Sequence, residues 1–199
     1  KLWLDEANKN QALPLDDRTA LQILGIDRPT EEKEKDSYSY YPHTSQVPEA
    51  VAVSVRGKSF KIISNVEITA DAKGVIFAHG SRFGGHSLFI KDHKLYYVYN
   101  FLGIKEQQLV STETLKPGKY TFGLEFTKEK AGAHGESIGT AKLYINDKAV
   151  ASGAMTAQVG KFTLVGDGLC VGWDSGDPVS KQYTSPGEFE GGEISFVTV

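Results

Sequence analysis

Residues 74–103 read GVIFAHGSRFGGHSLFIKDHKLYYVYNFLG, and this stretch decides the fold. After Lys94, large side chains fill both alternating sets of positions: Leu95, Tyr97 and Tyr99 in one set, and Tyr96, Val98 and Asn100 in the other. Because successive side chains of a strand point to opposite faces, this pattern predicts a strand with both faces covered. The polar step at residues 91–94, between two apolar runs, predicts a hairpin turn.

The same alternation recurs in other parts of the chain. Residues 60–68, 120–126 and 139–145 carry mostly apolar side chains at every second position. Asn146-Asp147 suits a two-residue hairpin turn, since both residue types tolerate positive φ. Many short strands separated by turns predict an all-β fold, a two-sheet antiparallel sandwich. The remaining predicted strands are 74–80, 84–90, 106–111, 149–157, 161–165, 169–173 and 188–198.

The first part of the chain has a different pattern. Residues 1–11 are predicted to be helical, and Asp16 or Asp17 can cap a second short helix that runs through Leu24. Residues 30–50 are polar and include a run of charges, which is typical of a solvated linker. We therefore expect a helical connector and polar linker at residues 1–45, and a β-sandwich domain at residues 46–199.

Composition excludes two classes of partner. The net charge is −3, from 22 basic and 25 acidic residues that are mixed along the sequence. Such a chain lacks the basic surface that binds nucleic acid, so no nucleic-acid partner is expected. It has neither a polybasic segment nor an apolar run of about 20 residues, so no membrane partner is expected. The single cysteine, Cys170, rules out a disulfide within the chain and does not report the compartment.

Three motifs, in this order, resemble the C-terminal β-domain of one branch of the bacterial arylsulfatases. Residues 12–18 (ALPLDDR) are similar to the connector that follows the catalytic domain in those enzymes. Residues 74–103 are similar to the glycine-rich core of their C-terminal domain, and residues 171–194, which begin VGWDSGDPVS, are similar to its closing motif. The resemblance runs from residue 12 to residue 199. It implies a concanavalin-like jelly roll, which agrees with the fold expected from the alternation.

The resemblance implies a non-catalytic accessory role. Sulfatases carry a C/S-x-P-x-R motif whose Cys or Ser becomes formylglycine beside a divalent cation. Cys170 lacks the following Pro and Arg, and no other segment supplies the motif. We therefore expect no catalytic residue and no cofactor here, while a parent chain would carry the formylglycine and the divalent cation.

The expected partner is the catalytic sulfatase domain of the same parent chain. This domain would cover the catalytic domain and shape substrate access. We interpret the chain as a soluble fragment of a longer protein. If that parent has a signal peptide, the expected location is the periplasm or the outside of the cell.

Two alternatives from other functional classes stay open. One is a free-standing carbohydrate-binding module, with a glycan as partner and with aromatic side chains that stack on sugar rings. The other is a concanavalin-like glycosidase, in which paired carboxylates would act as acid and nucleophile or base. The stacking candidates are Tyr96, Tyr99, Trp173 and Tyr183. The carboxylate candidates are Glu188, Glu190 and Glu193.

A few polar residues are candidates for sites, each with an ordinary structural explanation. Asp174 and Asp177 could supply oxygen ligands to Ca²⁺, although Asp and Gly are also the usual residues of tight turns. Arg82 lies in a glycine-rich turn and could rim the active site of a parent enzyme. His79, His86 and His93 lie at a spacing of seven, which alternates faces in a strand, so no shared metal site is expected. Two of the three flank predicted hairpins, where a surface histidine is common.

Overall fold

The computed structural model describes residues 1–13, 35–159 and 167–199. The chain divides into two compact units, Lys1–Asp36 and Ser37–Val199, so the division falls ahead of the expected start at residue 46. The first unit contains α1 (Leu2–Lys9), as the pattern of residues 1–11 predicts. The second helix expected through Leu24, and the strand expected at 161–165, lie outside the described residues. No helix in the described ranges has the length and apolar character needed to cross a membrane.

The second unit is an antiparallel β-sandwich of the jelly-roll type, as predicted. Its strands in the described ranges are β1 (Ser39–Tyr40), β2 (Phe60–Ser81), β3 (Gly84–Lys91), β4 (Lys94–Phe101), β5 (Lys105–Val110), β6 (Gly118–Ala131), β7 (Ser137–Ile145), β8 (Lys148–Ala157), β9 (Leu169–Val171) and β10 (Glu190–Thr198). One sheet has the order β1-β10-β2-β6-β7-β8, and the other has the order β5-β4-β3-β2-β9.

Strand β2 belongs to both sheets. Its first part, from Phe60 to Ile68, pairs with β6, and its second part, from Gly74 to Ser81, pairs with β3. The sequence predicts two separate strands here, at 60–68 and 74–80, but the backbone continues as one strand through the intervening residues. The two sheets are therefore linked covalently through one continuous strand.

The main core lies between the sheets and follows the predicted alternation. The odd-numbered set of β4, with Tyr97 and Tyr99, packs in the same cluster as Ile62 and Leu124 of the other sheet. A second, smaller cluster lies on the outer face of β2, β3 and β4, where residues 172–189 cover the sheet. Its buried members are Val75, Ala78, Phe89, Val98 and Val179, with Tyr96 and Tyr183 packed against them. Both faces of β4 are thus covered, as the sequence of residues 95–100 predicts.

The structure corrects the expectation for His79 and His86. They lie directly opposite each other across the β2–β3 hairpin, so they share one face of the sheet. Both are buried, with their ring centroids 5.7 Å apart, whereas His93 is exposed in the turn between β3 and β4. The expectation failed because spacing along one strand was counted, whereas a hairpin folds the two positions back into register.

Candidate functional site

Residues 172–189, here called the cover segment, are fastened to the outer face of the second sheet. Asn100 donates its side-chain amide to the Val179 carbonyl at 2.9 Å, and Lys91 Nζ donates to the Gln182 carbonyl at 3.1 Å. Tyr183 packs edge-on against Phe89, with 5.0 Å between ring centroids. These contacts come from β3 and β4, so the segment is held at a fixed position on the sheet.

Asp174 organises the cover segment from within. Its Oδ2 accepts the Val179 backbone N–H at 2.9 Å and the Tyr183 hydroxyl at 2.5 Å. Its backbone N–H donates to the Pro186 carbonyl at 2.7 Å. Burial raises the pKa of Asp174 to about 6, and the hydrogen bond from Tyr183 works in the opposite direction. The Asp174 carboxylate therefore stabilises the cover segment through hydrogen bonds with residues of that same segment.

Asp177 faces a different set of partners. Its carboxylate lies 3.2 Å from Nε of Arg82, and its backbone N–H donates to Oδ2 of Asp167 at 3.0 Å. Within residues 1–13, 35–159 and 167–199, no three His, Cys, Asp or Glu side chains come together as a metal-binding group. The guanidinium carbon of Arg82 also lies 4.7 Å from the centroid of the Phe83 ring. Arg82, the second candidate in this region, therefore belongs to the tip of the β2–β3 hairpin.

Trp173 opens the cover segment and lines a cavity of about 480 Å³ beside the end of β9, here called the Trp173 pocket. The floor is apolar, with buried Val171 and Ile194 and half-buried Phe189. Exposed carboxylates of Glu188 and Glu193 lie on its lining. The remaining lining residues are Pro42, His43, Gly172 and Gly192. Ligand pockets commonly enclose about 300–1,000 Å³ and combine apolar walls with a few polar groups.

Two backbone hydrogen bonds fix the walls of the pocket relative to each other. The Gly172 N–H donates to the Ile76 carbonyl at 3.0 Å, which ties the Trp173 wall to β2. The Phe189 N–H donates to the Gly172 carbonyl at 2.8 Å, which joins the two ends of the cover segment. The indole and the Glu188 backbone are thus held by the sheet that lies below them.

Glu188 and Glu193 line the same pocket although Glu188 precedes β10 and Glu193 lies within it. An odd number of positions separates them, and in a regular strand an odd spacing places side chains on opposite faces. The pairing of β10 with β2 shifts register between Glu190 and Gly192, and Gly191 has φ of 72°. Across this shift β10 spans two positions and β2 spans five, so the extra residues lie in β2 and the regular alternation of β10 does not extend back to Glu188.

The three carboxylates considered for a glycosidase do not line one pocket. Glu188 and Glu193 line the Trp173 pocket, whereas Glu190 lines a second pocket of about 590 Å³. Glu190 also pairs with Lys73 at 3.0 Å. Glu188 lies between the two pockets and lines both.

Three of the aromatic candidates serve packing. Tyr96 stacks on Phe89 with centroids 5.1 Å apart, and buried Tyr99 accepts the Gln158 backbone N–H at 2.9 Å. Tyr183 lines the second pocket, but its hydroxyl is engaged with Asp174 and with Ser87 at 3.0 Å. Of the four stacking candidates, Trp173 is the one that lines the Trp173 pocket.

The sequence did not point to Pro42 and His43 as part of a site. They were placed in the linker, yet β1 pairs with β10 and carries the following turn to the pocket. A two-residue strand has no detectable alternation, and its pairing with the last strand is a long-range contact. The only local indication that this segment packs on the sandwich is the group of tyrosines at 38–41.

Comparisons with known proteins give no family. No family model matches the chain, and no curated protein matches it. Among solved structures, domains LG4–5 of the mouse laminin α1 chain align with 81% of this chain and 38% of their own, at 15% identity and a TM-score of 0.48. The heptameric SAP-like pentraxin of Limulus polyphemus aligns with 81% of this chain and 75% of its own, at 15% identity and a TM-score of 0.47. The chain thus spans well under half of the laminin structure that it resembles.

Proposed function

We propose that this chain is a non-catalytic, carbohydrate-binding accessory domain whose site is the Trp173 pocket. The observation that carries the proposal is the combination of a half-buried indole with two exposed carboxylates around one apolar-floored cavity. Sugar rings have an apolar C–H face that suits an aromatic face, and hydroxyls that donate to carboxylates in charge-assisted hydrogen bonds.

The pocket has polar groups free to meet a ligand. Within the part of the chain that the structure describes, the side chains of Glu188 and Glu193 make no ion pair or hydrogen bond. By contrast, both lysines in the lining of the second pocket are engaged: Lys73 pairs with Glu190, and Lys91 with Gln182. The Trp173 pocket is therefore better suited to bind a hydroxyl-rich molecule than its neighbour.

Isothermal titration with neutral tetrasaccharides of cellulose and chitin tests the proposal. Trp173→Ala should weaken binding by about tenfold or more, since loss of a central Trp anchor typically costs about 1–2 kcal/mol or more. Phe83→Ala is the matched control, because Phe83 is an exposed aromatic at a hairpin tip outside the pocket. Binding that survives Trp173→Ala unchanged, or that Phe83→Ala removes, would contradict the proposal.

A second candidate is that the chain belongs to an arylsulfatase-like parent, whose catalytic domain it covers. What favours it is that the two main motifs of the resemblance, 74–103 and 171–194, pack against each other through the cover segment. Neither of the two similar structures named above is a sulfatase, so this candidate depends on the sequence motifs. A C-x-P-x-R or S-x-P-x-R motif upstream in the same reading frame would support it, and an upstream domain of another enzyme class would remove it.

A further inference from the structure

The lining of the Trp173 pocket is one-sided in charge. It contains Glu188 and Glu193, and neither lysine nor arginine of the described ranges contributes to it. The neighbouring pocket, in contrast, has Lys73 and Lys91 in its lining. The lining of that second pocket also contains Asp92, Glu188 and Glu190, so both cavities have an acidic excess among the described residues. Only in the second pocket do lysines offset part of it.

The position of Glu193 carries a structural penalty. In the β10–β2 pairing Glu193 lies directly opposite Glu67, and like charges at opposed positions of an antiparallel pair are destabilising. Lys119 compensates Glu67 at 3.5 Å, while Glu193 has no cation partner among the described residues. The Glu193 carboxylate at the edge of the cavity is therefore available to a cationic group of a ligand.

We infer that the Trp173 pocket selects amino sugars, with a protonated primary amine, over neutral or sulfated sugars; this rests on the proposed function. An ammonium group can lie over the indole face and donate to the carboxylates of Glu188 and Glu193. A sulfate at the same place would meet two like charges, with neither lysine nor arginine among the described lining residues to offset them. Selectivity for the amine comes from the carboxylates, and stacking on Trp173 is common to all three sugar classes.

The test compares three tetrasaccharides of glucosamine: the free amine, the N-acetylated form and the 6-O-sulfated N-acetylated form. Trp3→Phe leaves Trp173 as the single tryptophan of a chain that has two, so fluorescence reports directly on the pocket. At low salt the free amine should bind about tenfold more tightly than the N-acetylated form, and the sulfated form should bind most weakly. At about 0.5 M NaCl this ratio should shrink toward one, because exposed charges are screened.

Variants identify the groups responsible. Glu188→Gln with Glu193→Gln should weaken binding of the free-amine sugar by more than binding of the N-acetylated sugar, so that the preference for the amine disappears. Glu190→Gln, which alters a carboxylate that does not line the Trp173 pocket, should keep the preference. Melting temperatures of all variants show whether each is folded.

The outcomes separate this inference from the function on which it rests. If the free amine and the N-acetylated sugar bind equally, or if the Gln pair keeps the preference, the amino-sugar inference is overturned and the carbohydrate-binding function stands. Tightest binding of the sulfated sugar overturns the inference in the same way. If none of the three sugars changes Trp173 fluorescence or binds by titration, both are overturned.

Discussion

At the scale of single residues, the buried imidazoles of His79 and His86 set how the domain responds to acid. Among residues 1–13, 35–159 and 167–199, neither ring nitrogen of His79 has a hydrogen-bond partner, and His86 has one, the Tyr97 hydroxyl, 3.2 Å from Nδ1. Burial, and to a lesser extent the charge of Arg56, lowers the pKa of His79 to about 4. Burial, with His79 beside it, lowers the pKa of His86 well below its usual value.

Acid should therefore destabilise the fold through these two residues. In the unfolded chain each imidazole binds a proton below about pH 6.5, while in the folded chain both stay neutral. The free energy of unfolding is thus unaffected above about pH 6.5 and falls as the pH drops from there toward 4. For His79 the loss is about 3 kcal/mol on this interval. Asp174 acts oppositely, because a pKa raised to about 6 lets the folded state gain stability as that carboxylate is protonated.

His79→Phe isolates the effect of one imidazole. Phenylalanine keeps an aromatic ring at this position, and no hydrogen bond with a described residue is lost. Because the phenyl ring does not titrate, the variant should lose less stability between pH 7 and pH 5 than the unsubstituted protein. Urea unfolding at both pH values measures it, with His134→Gln, an exposed histidine, as the control. An identical pH dependence in His79→Phe and the parent would show that His79 does not titrate as described.

At the scale of elements, the passage of β2 from one sheet to the other depends on Gly74. Gly74 has φ of 99°, a conformation that L side chains rarely adopt, and an added Cβ would lie 2.1 Å from the Glu188 carbonyl oxygen. The close approach places the end of the cover segment against β2. It therefore couples the path of this strand to the Glu188 wall of the Trp173 pocket.

Gly74→Ala should lower the free energy of unfolding by about 2–4 kcal/mol, from backbone strain and the backbone displaced by the methyl group. The same substitution should also weaken sugar binding by the folded fraction of the variant, because the added methyl group displaces the backbone of Glu188. Gly123→Ala is the control: its added Cβ would meet Tyr144 Cβ at 3.4 Å, an ordinary contact. Equal stability of the two variants in urea unfolding would count against the strained passage at Gly74.

Local patterns explain why many of these elements could be predicted. Alternation in residues 60–68 and 95–100 reflects burial on one or both faces, and the turn at residues 92–93 has two positive φ values, as a two-residue hairpin requires. The pocket could not be predicted in the same way. It depends on the register shift between β10 and β2 and on the turn that follows β1, and both are set by the pairing of strands far apart in sequence. Trp173 was a stacking candidate from residue type alone, without any indication of its neighbours.

At the scale of the whole molecule, the division between Asp36 and Ser37 separates two units of very different kind. The second unit includes β1, which closes the edge of the first sheet. The Tyr38 and Val199 backbones exchange two hydrogen bonds of 2.9 Å, and the Tyr40 hydroxyl accepts the Val53 N–H at 2.9 Å. A short edge strand covers backbone groups that would otherwise be open to pairing with another chain.

Two truncations test where the sandwich begins. Removal of residues 1–36 should leave the melting temperature within about 2 °C and sugar binding unchanged, because every described strand remains. Removal of residues 1–45 also deletes β1 and the Pro42–His43 wall of the pocket, with the hydrogen bonds made by Tyr38 and Tyr40. At about 0.5–1.5 kcal/mol for each lost hydrogen bond, the longer truncation should lower the free energy of unfolding by about 2–4 kcal/mol and expose β10 as a new sheet edge. Self-association should rise with it. Calorimetry and sedimentation of the two truncated chains test these expectations. If both chains are equally stable and bind sugar equally, the domain starts after residue 45. If the chain that lacks only residues 1–36 is unfolded, the first unit is part of the sandwich.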